Sequence, residues 1–145
     1  MYFVDRSKIE QTLTYMDSLL QELWNQSFES FQEKLLLERI TQMIIESMLD
    51  VGNMMIDGFI MRDPGSYEDI IDILVDEKVL PSNDQDGYKK VVRLRTLLVK
   101  EYLNIDHEKV KSITTENKQL LNQFGDRVRT YLENELGVAN AFSNE

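Results

Sequence analysis

Cysteine is absent from the 145 residues, and histidine occurs once, as His107. The first absence excludes a disulfide scaffold, a thiol nucleophile and any Cys-based zinc or iron–sulfur site. The second excludes a His-rich metal site and an HExxH-type pair. Two prolines and six glycines are few for an all-β domain, which needs many turns. Positive charge is also scarce: 16 basic residues face 26 acidic ones, for a formal net charge of −10. That balance disfavours tight non-specific binding of nucleic acid, which requires clustered Lys and Arg. No uncharged apolar stretch approaches the roughly 18 residues of a membrane span. The N-terminus, Met1-Tyr2-Phe3-Val4-Asp5-Arg6, lacks the apolar core of a secretion signal, so the cytoplasm is the expected compartment.

What is present is helical periodicity. Ile9, Leu13, Met16, Leu20 and Leu23 recur at three and four residues, the stripe of an amphipathic helix over about 5–24 with Asp5 as its cap. Residues 25–30 read as a loop or a bent continuation, with Trp24, Phe28 and Phe31 closing one end of the core. A long second helix is expected from about Glu33 to Phe59. Asp63-Pro64-Gly65-Ser66 breaks the pattern, and Ser66 with Asp69 forms a capping-box arrangement for a short helix from Tyr67 to about Glu77. A fourth helix is expected over about Asp84–Leu103. A fifth, capped by Asp106, reaches Phe124 or beyond, with Gly125 as a possible bend and Gly137 as its stop. The predicted architecture is all-α, a single up-and-down bundle of about five helices over residues 1–137, with a frayed tail at 138–145.

Angular arithmetic singles out one residue. At about 100° per residue, with Val91 at zero, Leu98, Tyr102, Val99, Val92 and Leu103 fall within one arc, and Arg95 falls among them at about 40°. A guanidinium there needs an anionic partner or a route to the surface. It reads equally as a structural Arg–carboxylate pair and as part of a functional site. On the second helix Arg39, Glu46, Asp50, Asn53 and Asp57 share one polar line. That line is either a solvated face or a stripe that meets Arg95, within one bundle or across a two-fold axis. Tyr102, by its phase, reads as a core tyrosine. His107, beside Asp106, reads as a surface neighbour of a helix cap. Lys89, Lys90, Arg93, Arg95 and Lys100 place five basic residues within 12 positions, a local exception to the acidic balance.

These residues resemble a known family. Leu37-Glu38-Arg39 with Glu46, Asp50 and Asn53 is similar to the second helix of HepT-like HEPN-domain proteins. Asp63-Pro64-Gly65-Ser66-Tyr67 with Leu74 resembles the family's Pro-x-Ser-Tyr segment. Arg95-Thr96-Leu97-Leu98-Val99-Lys100-Glu101-Tyr102 resembles its signature, Arg-Asn-x-x-x-His-x-Tyr, and Ile105-Asp106 continues the match. The likeness covers about residues 5–125 and is strongest to the YutE-type branch. It implies a helical homodimer, a metal-independent RNA endonuclease of toxin–antitoxin systems without cofactor, and a minimal nucleotidyltransferase antitoxin that attaches AMP to the signature tyrosine. Carried over, Arg95 is the signature arginine, Tyr102 the modified tyrosine, and Asp50 and Asn53 polar positions of the second helix. Thr96 stands where the family has asparagine and Lys100 where it has histidine. A lysine with an ordinary pKa near 10.4 is protonated at neutral pH and is a poor general base. The resemblance therefore implies a degenerate site with weak or lost nuclease activity. The alternative is a non-catalytic dimeric binding protein, or a nucleotidyltransferase substrate modified at Tyr102.

Overall fold

The computed structural model describes residues 4–143, and side chains as far as residue 135. Six α-helices and no strand occur among the described residues: α1 (Arg6–Trp24), α2 (Phe31–Gly58), α3 (Tyr67–Asp76), α4 (Gln85–Lys100), α5 (His107–Glu116) and α6 (Lys118–Ser143). Short 3₁₀ turns precede α4 and follow it. The expected all-α bundle is present, with six helices rather than five.

Local chemistry explains most helix starts. The Asp5 carboxylate accepts from the Lys8 N–H, and Asp106 does the same for Lys109. Helix α2 begins earlier than its apolar pattern suggested, at Phe31. There the Ser30 hydroxyl accepts from the Glu33 N–H while the Glu33 carboxylate accepts from the Ser30 and Glu29 N–H groups. Phe31 itself points outward, 76% exposed, whereas Phe28 is buried, so only one of the two phenylalanines closes the core. At α3 only half of the expected box forms. Ser66 accepts from the Asp69 N–H, but the Asp69 carboxylate turns to the Gly65 N–H and to Arg62.

The ends of the later helices differ from expectation. Helix α4 stops at Lys100, not Leu103. The next residues form a 3₁₀ turn that rolls Tyr102 and Leu103 out to 65% and 91% exposure. The predicted fifth helix is two helices, divided at Asn117 rather than bent at Gly125. The Asn117 N–H bonds back to Ile113 and Thr114, its side-chain amide donates to the Ile113 carbonyl, and its own carbonyl receives the Leu121 N–H of α6. Gly125 is buried inside α6, and α6 continues through Gly137 to Ser143, so Gly137 is no stop.

Helix α2 is the central strut. Its buried residues run from Leu37 to Gly58, and it packs on α1 along its length and on α3, α4 and α5. Gly52 lets α3 approach closely: a Cβ there would lie 2.5 Å from Ile70 Cγ2. Helices α1 and α6 are pinned by Trp24 Nε1 donating to Asn122 (2.8 Å) and by Arg129 bonded to Glu10 and Asp17. Tyr88, fully buried in α4, donates its hydroxyl to the Leu120 carbonyl and accepts from Arg127, which also pairs with Asp84. Burial pushes the Tyr88 hydroxyl up to about 12.

Candidate functional site

Helices α2 and α4 run antiparallel past one another, and their facing polar residues meet near mid-length. Arg95 Nε donates to Glu46 Oε1 at 2.6 Å, within the same bundle. Of the two arrangements the sequence allows for this stripe, the intrachain one is found. Both side chains are partly buried, and the guanidinium lies over the Tyr67 ring, 4.4 Å from its centroid. The hydrogen bond to Glu46 raises the Arg95 pKa above its ordinary value, so the guanidinium stays charged. Helix α3 supplies this ring because Ser66 starts it and Tyr67 is its first residue.

The rest of the polar line on α2 faces solvent. Arg39, Asp50, Asn53 and Asp57 are exposed. Partial desolvation, then the neighbouring Glu46 charge, pushes the Asp50 carboxyl above its ordinary value against the pull of Lys8 on α1.

The basic helix is less basic than its sequence. Lys89 pairs with Asp72 at 3.0 Å, Arg93 with Glu68 at 2.9 Å and Arg95 with Glu46. Among the described residues only Lys90 and Lys100 of the five have no carboxylate partner. Lys100 is exposed, as is Thr96. Five residues along α4 turn Lys100 about 140° away from Arg95, so one chain does not bring the two onto one face. Tyr102 is not a core residue: with α4 ended at Lys100, its phase no longer points inward, and it stands 65% exposed. His107 is more than a neighbour of a cap. As the first residue of α5 it places Nε2 2.7 Å from Glu38 Oε2 and ties α5 to α2.

Among the described residues, no three His, Asp or Glu side chains gather as a metal site. No described helix is long and apolar enough to cross a membrane. A groove of about 560 Å³ between the α3–α4 connection and α6, lined by Lys78, Arg127 and Tyr131 among others, contains none of the sequence-predicted site residues.

Tyr67, named in the sequence only as part of the Pro-x-Ser-Tyr segment, is the residue whose place beside Arg95 sequence reasoning missed. Its spacing to Ile70, Ile71 and Leu74 matches the apolar stripe of α3, so its phase alone reads as packing. It lies at the helix start, where the bundle no longer covers it.

A family model, ribonuclease HepT-like, matches residues 9–128. The chain belongs to the ribonuclease HepT-like family. A relative from Bacillus subtilis, named "Putative RNase YutE", is 48% identical over 143 residues, which cover 98% of this chain and 99% of the relative. A solved structure of YutE from Bacillus subtilis, described as a cytosolic protein of unknown function, superposes with a TM-score of 0.92. That match is also 48% identical and covers 94% of this chain and 96% of the other. The HepT-like assignment agrees with the resemblance read from Arg95–Tyr102 and from the Pro64–Tyr67 turn.

Proposed function

We propose that this HepT-like protein is a metal-independent RNA endonuclease of the toxin type, homodimeric and weakly active, in which Arg95 and Lys100 hold the scissile phosphate. The observation that carries this reading is Arg95 itself: a charged guanidinium kept in place at the bundle surface, in a chain of a ribonuclease family. Cleavage without metal needs a base for the 2′-hydroxyl proton, an acid for the 5′-oxygen and positive charge for the phosphorane. Arg95 and Lys100 supply charge. Neither is the imidazole that the family's signature places there for proton transfer. His107, with its Nε2 held by Glu38, does not occupy the signature position. Because Arg95 and Lys100 face different ways in one chain, a composite cleft needs two copies. Exposed Phe31, Leu35 and Leu36 on α2 and Leu103 beyond α4 offer apolar surface for the pairing.

The test is cleavage of a long RNA in chelator. Slow wild-type cleavage is expected, abolished by Arg95→Ala and raised by Lys100→His by about 10²–10⁴-fold, the usual worth of a general base. Fast wild-type cleavage abolished by Arg95→Ala would show that the site is not degenerate. An inactive Lys100→His variant would overturn the nuclease reading. The same preparations are expected to scatter light as dimers at micromolar concentration, and monomers only would remove the composite cleft.

The exposure of Tyr102 favours a second reading, an acceptor for a minimal nucleotidyltransferase antitoxin. The Tyr102 hydroxyl would attack the α-phosphorus of ATP, forming O-adenylyl-tyrosine and releasing pyrophosphate and the phenolic proton. Intact mass after co-expression with such a transferase should rise by one AMP, and Tyr102→Phe should prevent it. An unchanged wild-type mass rules this reading out.

A further inference from the structure

The arginines of this protein are not held alike. Arg62, Arg93, Arg127 and Arg129 each commit terminal nitrogens to carboxylates. Arg95 makes its carboxylate bond through Nε alone. One edge of its guanidinium is therefore fixed by Glu46 and its plane is fixed by the Tyr67 ring. The opposite edge, Nη1 and Nη2, makes no hydrogen bond to any described residue. A guanidinium carries five N–H donors in a rigid fork that matches a phosphate bidentately. Here one donor orients the group and four remain. Were Glu46 a partner only for charge, the bidentate end-on contact that Arg62 makes with Asp69 would satisfy it better.

We propose that Glu46 and Tyr67 are positioning residues that hold the Nη1/Nη2 edge of Arg95 open for one phosphodiester of a single-stranded RNA. This rests on the preceding reading of Arg95 as a phosphate holder and extends it to two residues that touch no phosphate. The substrate class follows from the local charge. The Arg95–Glu46 pair is neutral overall, so free phosphate gains little from it. A polynucleotide brings further contacts, and Tyr67 leaves half of its surface exposed for the base beside the bound phosphate. Ring stacking by the cation on one part of Tyr67 and by a base on the rest are both worth most where water is partly excluded.

The experiment uses the full chain and a single-stranded oligonucleotide made of 2′-O-methyl nucleotides, which cannot be cleaved through the 2′-oxygen. Binding is read by fluorescence anisotropy, with inorganic phosphate as competitor. Tyr67→Leu should weaken binding about tenfold, in line with the loss of one stacking platform. Tyr67→Phe should restore it to within about twofold, which a role limited to the tyrosine hydroxyl would not allow. In ¹⁵N spectra the Arg95 Nε–H signal, assigned by its loss in Arg95→Lys, should be resolved in the wild type and lost or shifted in Glu46→Ala. Inorganic phosphate should compete only weakly. Arg95→Ala binding as tightly as wild type would defeat the phosphate-holder reading itself. Loss in Arg95→Ala with Tyr67→Leu unchanged, or an Nε–H signal indifferent to Glu46→Ala, would overturn the positioning roles alone. Strong competition by phosphate would overturn the substrate class.

Discussion

At the scale of the residue, single side chains do two jobs that look alike in sequence. Arg95 and Arg62 are both arginines beside carboxylates, yet one is held by an edge and the other is closed end-on. Asp69 shows what the closed arrangement does to a carboxyl. The Arg62 hydrogen bonds, then the Gly65 N–H, hold its pKa down at about 2, against an ordinary value of 3.8. A group whose pKa is depressed by folding stabilises the fold above its unfolded value. That contribution is lost as pH falls through the folded value. Acid titration monitored by circular dichroism should therefore show stability declining between about pH 4 and 2, with a shallower decline in Asp69→Asn. Identical acid profiles for the two proteins would show that the Arg62–Asp69 contact carries no linkage. The anomaly of Arg95 was legible in sequence because helical phase places a charge in an apolar arc. Its partner was legible only as one of several carboxylates on a stripe. The choice of Glu46 over Asp50 or Asp57 depends on where α4 crosses α2, which no local pattern encodes.

At the scale of the element, helix starts were more legible than helix stops. Asp5, Ser66 and Asp106 cap through side chains whose chemistry is visible in one dimension. The stops at Gly58, Asp76 and Lys100 use neither proline nor glycine at the closing position. Helix α2 is closed by Ile60 at φ 55°, with the Met61 N–H returning to the Ile56 carbonyl. Lys78, at φ 64°, ends α3 in the same way, with the Val79 N–H bonded to the Leu74 carbonyl. This left-handed position ordinarily selects glycine, and a β-branched residue there is strained by about 1–2 kcal/mol. Ile60 is 75% exposed, so its replacement forfeits little burial. Ile60→Gly should stabilise the protein by about 1 kcal/mol in chemical denaturation, the relief of strain exceeding the extra entropy of glycine in the unfolded chain. A destabilised variant would mean that the Ile60 side chain has a role beyond closing α2. The same reliance on unusual stops explains the misread of Tyr102. Its inward phase held only for a helix that continued, and the helix ends two residues earlier.

At the scale of the molecule, the acidic excess shows where the basic residues cluster, because carboxylates from α2 and α3 pair with the cations of α4. Three of the five clustered cations on α4 are neutralised by Asp72, Glu68 and Glu46. The positive helix seen in the sequence therefore becomes a nearly balanced one, in which Lys90 and Lys100 have no carboxylate partner among the described residues. Composition could not show this, since it counts charges without their partners. The fold class was legible from periodicity and from the scarcity of turn residues. The division at Asn117 was not, because neither α5 nor α6 interrupts the apolar pattern there and the break is made by the asparagine's own hydrogen bonds.

The pins between α1 and α6 have a consequence for synthesis. Glu10 and Arg129 are 119 residues apart in the chain, and Trp24 and Asn122 are 98 apart. Helix α1 is therefore made well before α6, and these bonds form only once both are present. Until α6 is made, α1 has α2 to pack on, and the face that α6 covers stays open to water. A truncation of α6 that removes Asn122 and Arg129 therefore leaves that face of α1 without its partners.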